Sequence, residues 1–248
     1  LALTNSSPFR GLVALQMAFG SYEVGVIQRT PVPVLGGSSQ ILLEKLARDA
    51  CTEKIFLDTT RLTSNLFWLP SLLTAQGGTL SERIAAWSIS ANTADEAVAN
   101  IQIEIDSISC GLYGLDLSEL RALTSTQVAD SRNDYDVKGQ EFDDEEAAQS
   151  DKPALVAELL SYAVGCRLGQ WNICIALAED KSPDISDPFA PLPVCPPGQL
   201  QNAQGLPARP EDVPSSYPIH ISWDGILVDD PNHPLDLELR VREVIGII

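Results

Sequence analysis

Residues 79–112 read TLSERIAAWSISANTADEAVANIQIEIDSISCGL, and this stretch decides the fold class. Thr79 and Glu82 stand at capping-box spacing, in which each side chain accepts from the other residue's backbone N–H at the start of a helix. Ile84, Trp87, Val98, Ile101, Ile105, Ile108 and Leu112 then recur at helical steps. The spacing predicts a helix from Thr79 to about Ser109, roughly 30 residues and ~45 Å long. An apolar stripe of that length needs cover along its whole side, which implies a helical bundle or a long hairpin.

Working outward, Ser38 to about Thr59 predicts a second helix, with Leu42, Leu43, Leu46, Ala47, Ala50 and Ile55 on its apolar side. Gly36-Gly37 is a turn ahead of it, with Ser38 as cap. Ser6-Ser7-Pro8 is a helix start, because a serine hydroxyl accepts from a free N–H and proline gives up no needed donor. That helix is expected to reach Phe19. Tyr22 to Gln28 is rich in β-branched and aromatic residues and predicts a strand, closed by Thr30-Pro31-Val32-Pro33. Leu66-Phe67-Trp68-Leu69 is an apolar segment broken by Pro70.

Downstream, Asp116 and Glu119 are placed to cap a short helix through Leu123. Residues 127–150 turn acidic around Asp143-Asp144-Glu145-Glu146 and read as a solvated linker. Asp151 and Pro153 open a helix from Leu155 to about Gly169. Its apolar face is Leu155, Val156, Leu159, Leu160, Ala163 and Val164, and Gly165 and Gly169 permit close packing or a turn. Residues 183–218 hold ten of the seventeen prolines and predict an extended crossing or surface loop. Ile219 to Trp223 predicts a strand, Asp224-Gly225 a hairpin turn, and Ile226-Leu227-Val228 the returning strand. A loop over Asp229 to Pro234 and a helix from Leu235 to Ile248 complete the chain. The expected fold class is mixed α/β, mainly α-helical, with long helices flanked by short strands and a proline-rich loop. The expected divisions are 1–37, a helical region 38–126, the linker 127–150, a helix 151–182, the loop 183–218, and a hairpin with a helix 219–248.

The 248 residues carry 34 acidic and 16 basic side chains, a net charge of −18. Phosphate affinity is supplied by Lys and Arg, so this balance opposes a chain that grips nucleic acid by itself. Five cysteines, none paired at CxxC spacing, argue against a disulfide framework or zinc knuckle and fit a reducing cytoplasm. No apolar run reaches the ~18 residues that span a membrane. The chain opens at Leu1 and closes on the apolar pair Ile247-Ile248. Both ends read as cut, and the chain is expected to be an internal piece of a larger protein.

Chemistry-bearing motifs are sparse. Asp187-Pro188-Phe189 has the outline of a base-binding loop but lacks a second proline. Asp229, Asp230 and His233 are close in sequence, yet one histidine on one loop is a weak metal signal. Asp134, Asp136 and Lys138 form a D-x-D-x-K string inside the acidic stretch, with no rigid element to hold it. Gly36-Gly37-Ser38 lacks the spacing of a nucleotide-binding turn.

Several strings nonetheless resemble one family. These are Asn5 to Leu12, Tyr22 to Pro33, Ile105-Asp106-Ser107-Ile108 with Leu112-Tyr113-Gly114-Leu115, and Leu160 to Gly169 with its Ser-Tyr-x-x-Gly-Cys-x-x-Gly pattern. In order and spacing they resemble the PglX-like adenine-specific DNA methyltransferases of BREX-type phage defence, and the related Eco57I-type enzymes. The resemblance implies that residues 1–37 join the end of a catalytic region to the start of a recognition region. It implies a parent enzyme that transfers a methyl group from S-adenosyl-L-methionine to adenine N6 in double-stranded DNA, with other defence-system proteins as possible partners. The family's catalytic and cofactor motifs lie upstream of such a segment, so it supplies no catalytic, cofactor or metal residue here. Arg10, Gln28 and Arg29 are the candidate DNA contacts: Arg29 for a phosphate or guanine edge, Gln28 for adenine. A non-enzymatic helical protein-interaction module is the alternative, and an acidic DNA mimic a further one.

Overall fold

The computed structural model describes residues 1–17, 24–116, 119, 152–178, 183, 187–226 and 228–248. Among them the α-helices are α1 (Ala2–Asn5), α2 (Ser7–Ala14), α3 (Val24–Arg29), α4 (Gly37–Asp58), α5 (Ser71–Thr74), α6 (Leu80–Tyr113), α7 (Lys152–Arg167), α8 (Ile173–Leu177) and α9 (Leu237–Ile247). Helices hold 57% of the described residues and no strand is found among them, so the chain is mainly helical. The acidic stretch 127–150 and the expected helix through Leu123 lie outside the described residues.

Helix α6 forms as its sequence predicts. The Glu82 N–H donates to Thr79 Oγ1 at 3.2 Å, and the Thr79 N–H donates to Glu82 Oε2 at 3.0 Å. The buried stripe includes Ile84, Trp87 and Ile105, and also the small residues Ala91 and Ala94. Helix α4 starts at Gly37, one residue early, which places Ser38 inside the first turn instead of before it.

Three expected strands, one near the start and two in a hairpin, are corrected. Val24 to Arg29 is helix α3, while Tyr22 and Glu23 lie outside the described residues. The Val26 carbonyl accepts from both the N–H and the hydroxyl of Thr30, at 3.1 and 3.0 Å. Only Val26 needs cover, and it finds it against Phe9 and Val13. Burying one valine stabilises by roughly 1.5–3 kcal/mol, and with no strand available to pair, the β-branched content loses to that contact. The hairpin at 219–228 is also absent among the described residues, which exclude Leu227. Its turn does form, with Gly225 at φ 69° and its N–H donating to Ser222 O at 3.1 Å. Ile219 and Ile221 point inward and His220 outward, the alternation of a strand. The Ser222 N–H, however, donates to Arg167 O at 2.8 Å, so this segment pairs with the end of α7. Val228 bridges to Asp236 instead of returning along Ile219.

The chain divides into two compact units, Leu1–Glu53 with Asp95–Ala147, and Lys54–Ala94 with Ala148–Ile248. In the first, Leu43, Leu46 and Ala47 of α4 pack with Ala2 and Ile105. In the second, Phe67, Leu69, Tyr162, Ala163, Cys166, Trp171, Ile173 and Val244 belong to one core. The buried face of α7 is turned from the expected one: Tyr162, Ala163 and Cys166 are fully buried, while Leu160 stands exposed. The described part of the proline-rich passage has one short 3-10 turn, Pro210–Asp212, and is stitched into this core. The Gly198 N–H donates to Phe67 O at 2.7 Å, and the Leu200 N–H to Gln170 O at 3.0 Å.

Candidate functional site

The three sequence candidates lie in the first unit. Arg10 is exposed on α2, and Gln28 and Arg29 are exposed on α3. These two helices share the core of Phe9, Val13 and Val26, and the Gln16 side chain donates to Thr30 Oγ1 at 3.0 Å. The candidates therefore ride on neighbouring elements. Arg29 donates its Nε back to Gly25 O at 2.9 Å.

Asp106 on α6 clamps the start of α2. Its carboxylate accepts from the Ser7 N–H at 2.8 Å, from the Ser7 hydroxyl at 2.6 Å, and from Gln102 Nε2 at 2.8 Å. A carboxylate at a helix N-terminus meets the free N–H groups and the positive end of the helix dipole. Tyr113, one turn beyond Ser109 on the same helix, donates its hydroxyl to Pro31 O at 2.9 Å.

The weaker motifs have local explanations. Asp187 Oδ1 accepts from the Phe189 N–H at 3.0 Å, an Asx turn that shapes the Asp187-Pro188-Phe189 loop. Asp230 Oδ1 accepts from the Asn232 N–H and His233 Nδ1 from the Leu235 N–H, so both serve their own turn. No group of three metal-ligating side chains comes together among the described residues. Asp134, Asp136 and Lys138 lie outside them.

The second unit contains a charged cluster that sequence reading missed. Arg167, at the end of α7, is 2% exposed and places Nη1 3.5 Å from Glu243 Oε2. Arg240, a turn before Glu243 on α9, places its own Nη1 2.8 and 3.0 Å from the two carboxylate oxygens. Its Nη2 donates to Pro234 O. Among the described residues, Nε and Nη2 of Arg167 and Nε of Arg240 are buried without a hydrogen-bond partner. Each such donor costs about 1–3 kcal/mol. Burial, then the neighbouring Arg240 charge, holds the Arg167 pKa below its usual value, and Glu243 opposes both. The available signal was an arginine set among glycines and apolar residues, Gly165-Cys166-Arg167-Leu168-Gly169. Its partners lie more than 70 residues away, where spacing says nothing of them.

Beside it is a buried polar network. Tyr162 and Tyr217 donate to Asn172, to its carbonyl and its side-chain oxygen respectively, both at 3.3 Å. Burial pushes the Cys166 thiol up to about 12 and raises both phenols. These groups stay protonated and hold the core together.

No helix among the described residues is long and apolar enough to cross a membrane. The chain matches no protein-family model, no curated protein and no solved structure.

Proposed function

We propose that the chain is part of a PglX-like, S-adenosylmethionine-dependent adenine-N6 DNA methyltransferase of a bacterial defence or restriction–modification system. These residues contribute helical, DNA-facing structure, and the methyl-transfer site belongs to the rest of the enzyme. The observation that supports this reading is where the resembling strings lie. The Asn5–Leu12 string is tied to the Ile105–Leu115 string through Ser7 and Asp106. The Tyr22–Pro33 string is tied to it through Tyr113. The Leu160–Gly169 string sits in the core of the second unit through Tyr162, Ala163 and Cys166.

No step of the reaction is assigned to these residues. A methyltransferase needs a glycine-rich turn after a strand for the cofactor and a polar-Pro-Pro-aromatic loop for the flipped adenine. Gly36-Gly37 and Asp187-Pro188-Phe189 supply neither pattern. In this reading the enzyme is cytoplasmic, duplex DNA is the partner, and Arg10, Gln28 and Arg29 face it.

The test reads the DNA flanking the coding segment for an in-frame Asn-Pro-Pro-Tyr-type motif upstream, then assays the full-length protein. Expected are adenine-N6 methylation of duplex DNA and a KM for DNA raised about tenfold by Arg29→Ala with kcat kept, the scale of one lost base or phosphate contact. A full-length protein with no such motif and no methyl transfer would refute the proposal. A second reading, a non-enzymatic helical interaction module, is favoured by Val24, Ile27, Val32, Val34, Ile41 and Leu42, which all stand exposed within one run. Stable capture of a protein partner by a full-length chain that transfers no methyl group would favour it.

A further inference from the structure

We infer that Arg167 and Arg240 form a cradle for a phosphate-class oxyanion, in which Glu243 is a resident carboxylate that the incoming anion displaces. The inference stands on the cluster's own donors and not on the methyltransferase reading.

Two guanidinium groups face one carboxylate, which leaves the cluster with an excess of positive charge. Glu243 directs both oxygens to Arg240 Nη1, at 2.8 and 3.0 Å. Only a 3.5 Å approach remains for Arg167 Nη1. As Glu243 is placed, both of its oxygens close on Arg240, and neither comes within good hydrogen-bond distance of Arg167. A phosphate has enough oxygens to serve both, and the planar guanidinium fork suits that geometry. Three further nitrogens of the pair are buried with no acceptor among the described residues.

The cradle is also held in place. Arg167 is 2% exposed, and Arg240 is tethered through Nη2 to Pro234 O. Glu243, 43% exposed, is the most exposed of the three side chains. Fixed donors lower the ordering cost of binding. The chain's net charge of −18 does not forbid this, because charges beyond about 8–10 Å are largely screened at 0.1–0.15 M salt, and the cluster itself sets two arginines against one glutamate.

The experiment titrates inorganic phosphate into the protein at constant ionic strength with chloride as control. Calorimetry and thermal unfolding are followed for the wild type, Glu243→Gln and Arg240→Gln. Phosphate is expected to stabilise the wild type beyond chloride, to bind Glu243→Gln about tenfold more tightly, and to bind Arg240→Gln at least tenfold more weakly. Should Arg240→Gln fail to fold, as judged by circular dichroism in chloride, the Glu243→Gln comparison decides alone. Equal or weaker binding by Glu243→Gln overturns the inference. So does the absence of phosphate-specific stabilisation in the wild type and Glu243→Gln, or undiminished binding by a folded Arg240→Gln. Competition by a short DNA duplex would assign the occupant to a backbone phosphodiester. Phosphate binding that the duplex leaves untouched would assign it to the free ion.

Discussion

At Gly165 an added Cβ would lie 2.2 Å from Trp171 Cδ1 and 2.5 Å from its Nε1. A ring buried among Phe67, Tyr162 and Ile173 cannot retreat without opening that core. Gly165→Ala is therefore expected to cost about 1–3 kcal/mol, the scale of overpacking. At Gly111, inside α6, a Cβ meets nothing within 4 Å, and Gly111→Ala should stabilise by about 0.5–1 kcal/mol through helix propensity. Urea denaturation of both variants checks the pair, and equal effects would refute the close approach of Trp171. Of the two, only the general idea of close packing was legible in the sequence, since the tryptophan follows the glycine across a turn made by Gly169 at φ 73°. The neighbouring ionisable groups give a pH prediction. Burial raises Cys166, Tyr162 and Tyr217 above the values of about 8.5–10 they would have in an unfolded chain. The folded state then holds protons that the unfolded state releases. Their stabilisation is complete below about pH 8.5 and is lost as pH climbs toward the folded-state values. The slope approaches about 1.4 kcal/mol per pH unit for each group ionised only when unfolded. A urea midpoint unchanged between pH 8 and 10.5 would contradict the burial of these groups.

At the scale of the element, the helix starts were readable because a cap is a local bargain between a side chain and N–H groups two or three residues on. Thr79 with Glu82, and Ser6 with the Phe9 N–H at 3.4 Å, needed nothing distant. Asp116 and Glu119 likewise exchange their expected bonds at 2.7 and 2.8 Å. The strands were misread because a strand exists only when another chain segment accepts its ladder, which no local pattern reports. Ile219 and Ile221 kept their alternation yet found the end of α7 and Gly169 as neighbours. Asp236 shows how much a cap can bind. It is buried, accepts from the Leu239 N–H at 3.1 Å to start α9, and accepts from the Asp230 N–H at 3.1 Å to hold the preceding loop. Thr79→Ala should cost about 1 kcal/mol, the usual price of an exposed cap. Asp236→Ala should cost more, about 2 kcal/mol, because two donors lose a buried acceptor. Amide hydrogen exchange at Asp230 and Leu239 separates the two functions, and protection that persists at both in Asp236→Ala would show the cap to be incidental.

For the whole molecule, composition was the strongest statement the sequence made. The candidate site was less legible than the helices, because Arg167, Arg240 and Glu243 meet only after α7 and α9 have packed. The excess charge is not confined to the acidic stretch. Residues 127–150 hold eight acidic and two basic side chains, so twelve of the eighteen excess negative charges lie elsewhere. Self-repulsion of that size opposes folding, and salt weakens it, since the screening length shortens from about 30 Å at 0.01 M to about 10 Å at 0.1 M. Salt also weakens attractions, and the exposed pairs Glu44–Arg48, Asp58–Arg61 and Glu238–Arg242 are the ones at risk. Such pairs contribute only about 0.2–1 kcal/mol each. Spread over many like charges, the repulsion outweighs them, and the sign of the salt effect follows. The melting temperature should rise between 10 and 200 mM sodium chloride, at about 2–4 °C for each kcal/mol recovered in a chain of this size. Calorimetry at fixed pH measures it. A melting temperature that falls over this range would mean that the surface pairs, and not the net charge, govern the electrostatics of the fold.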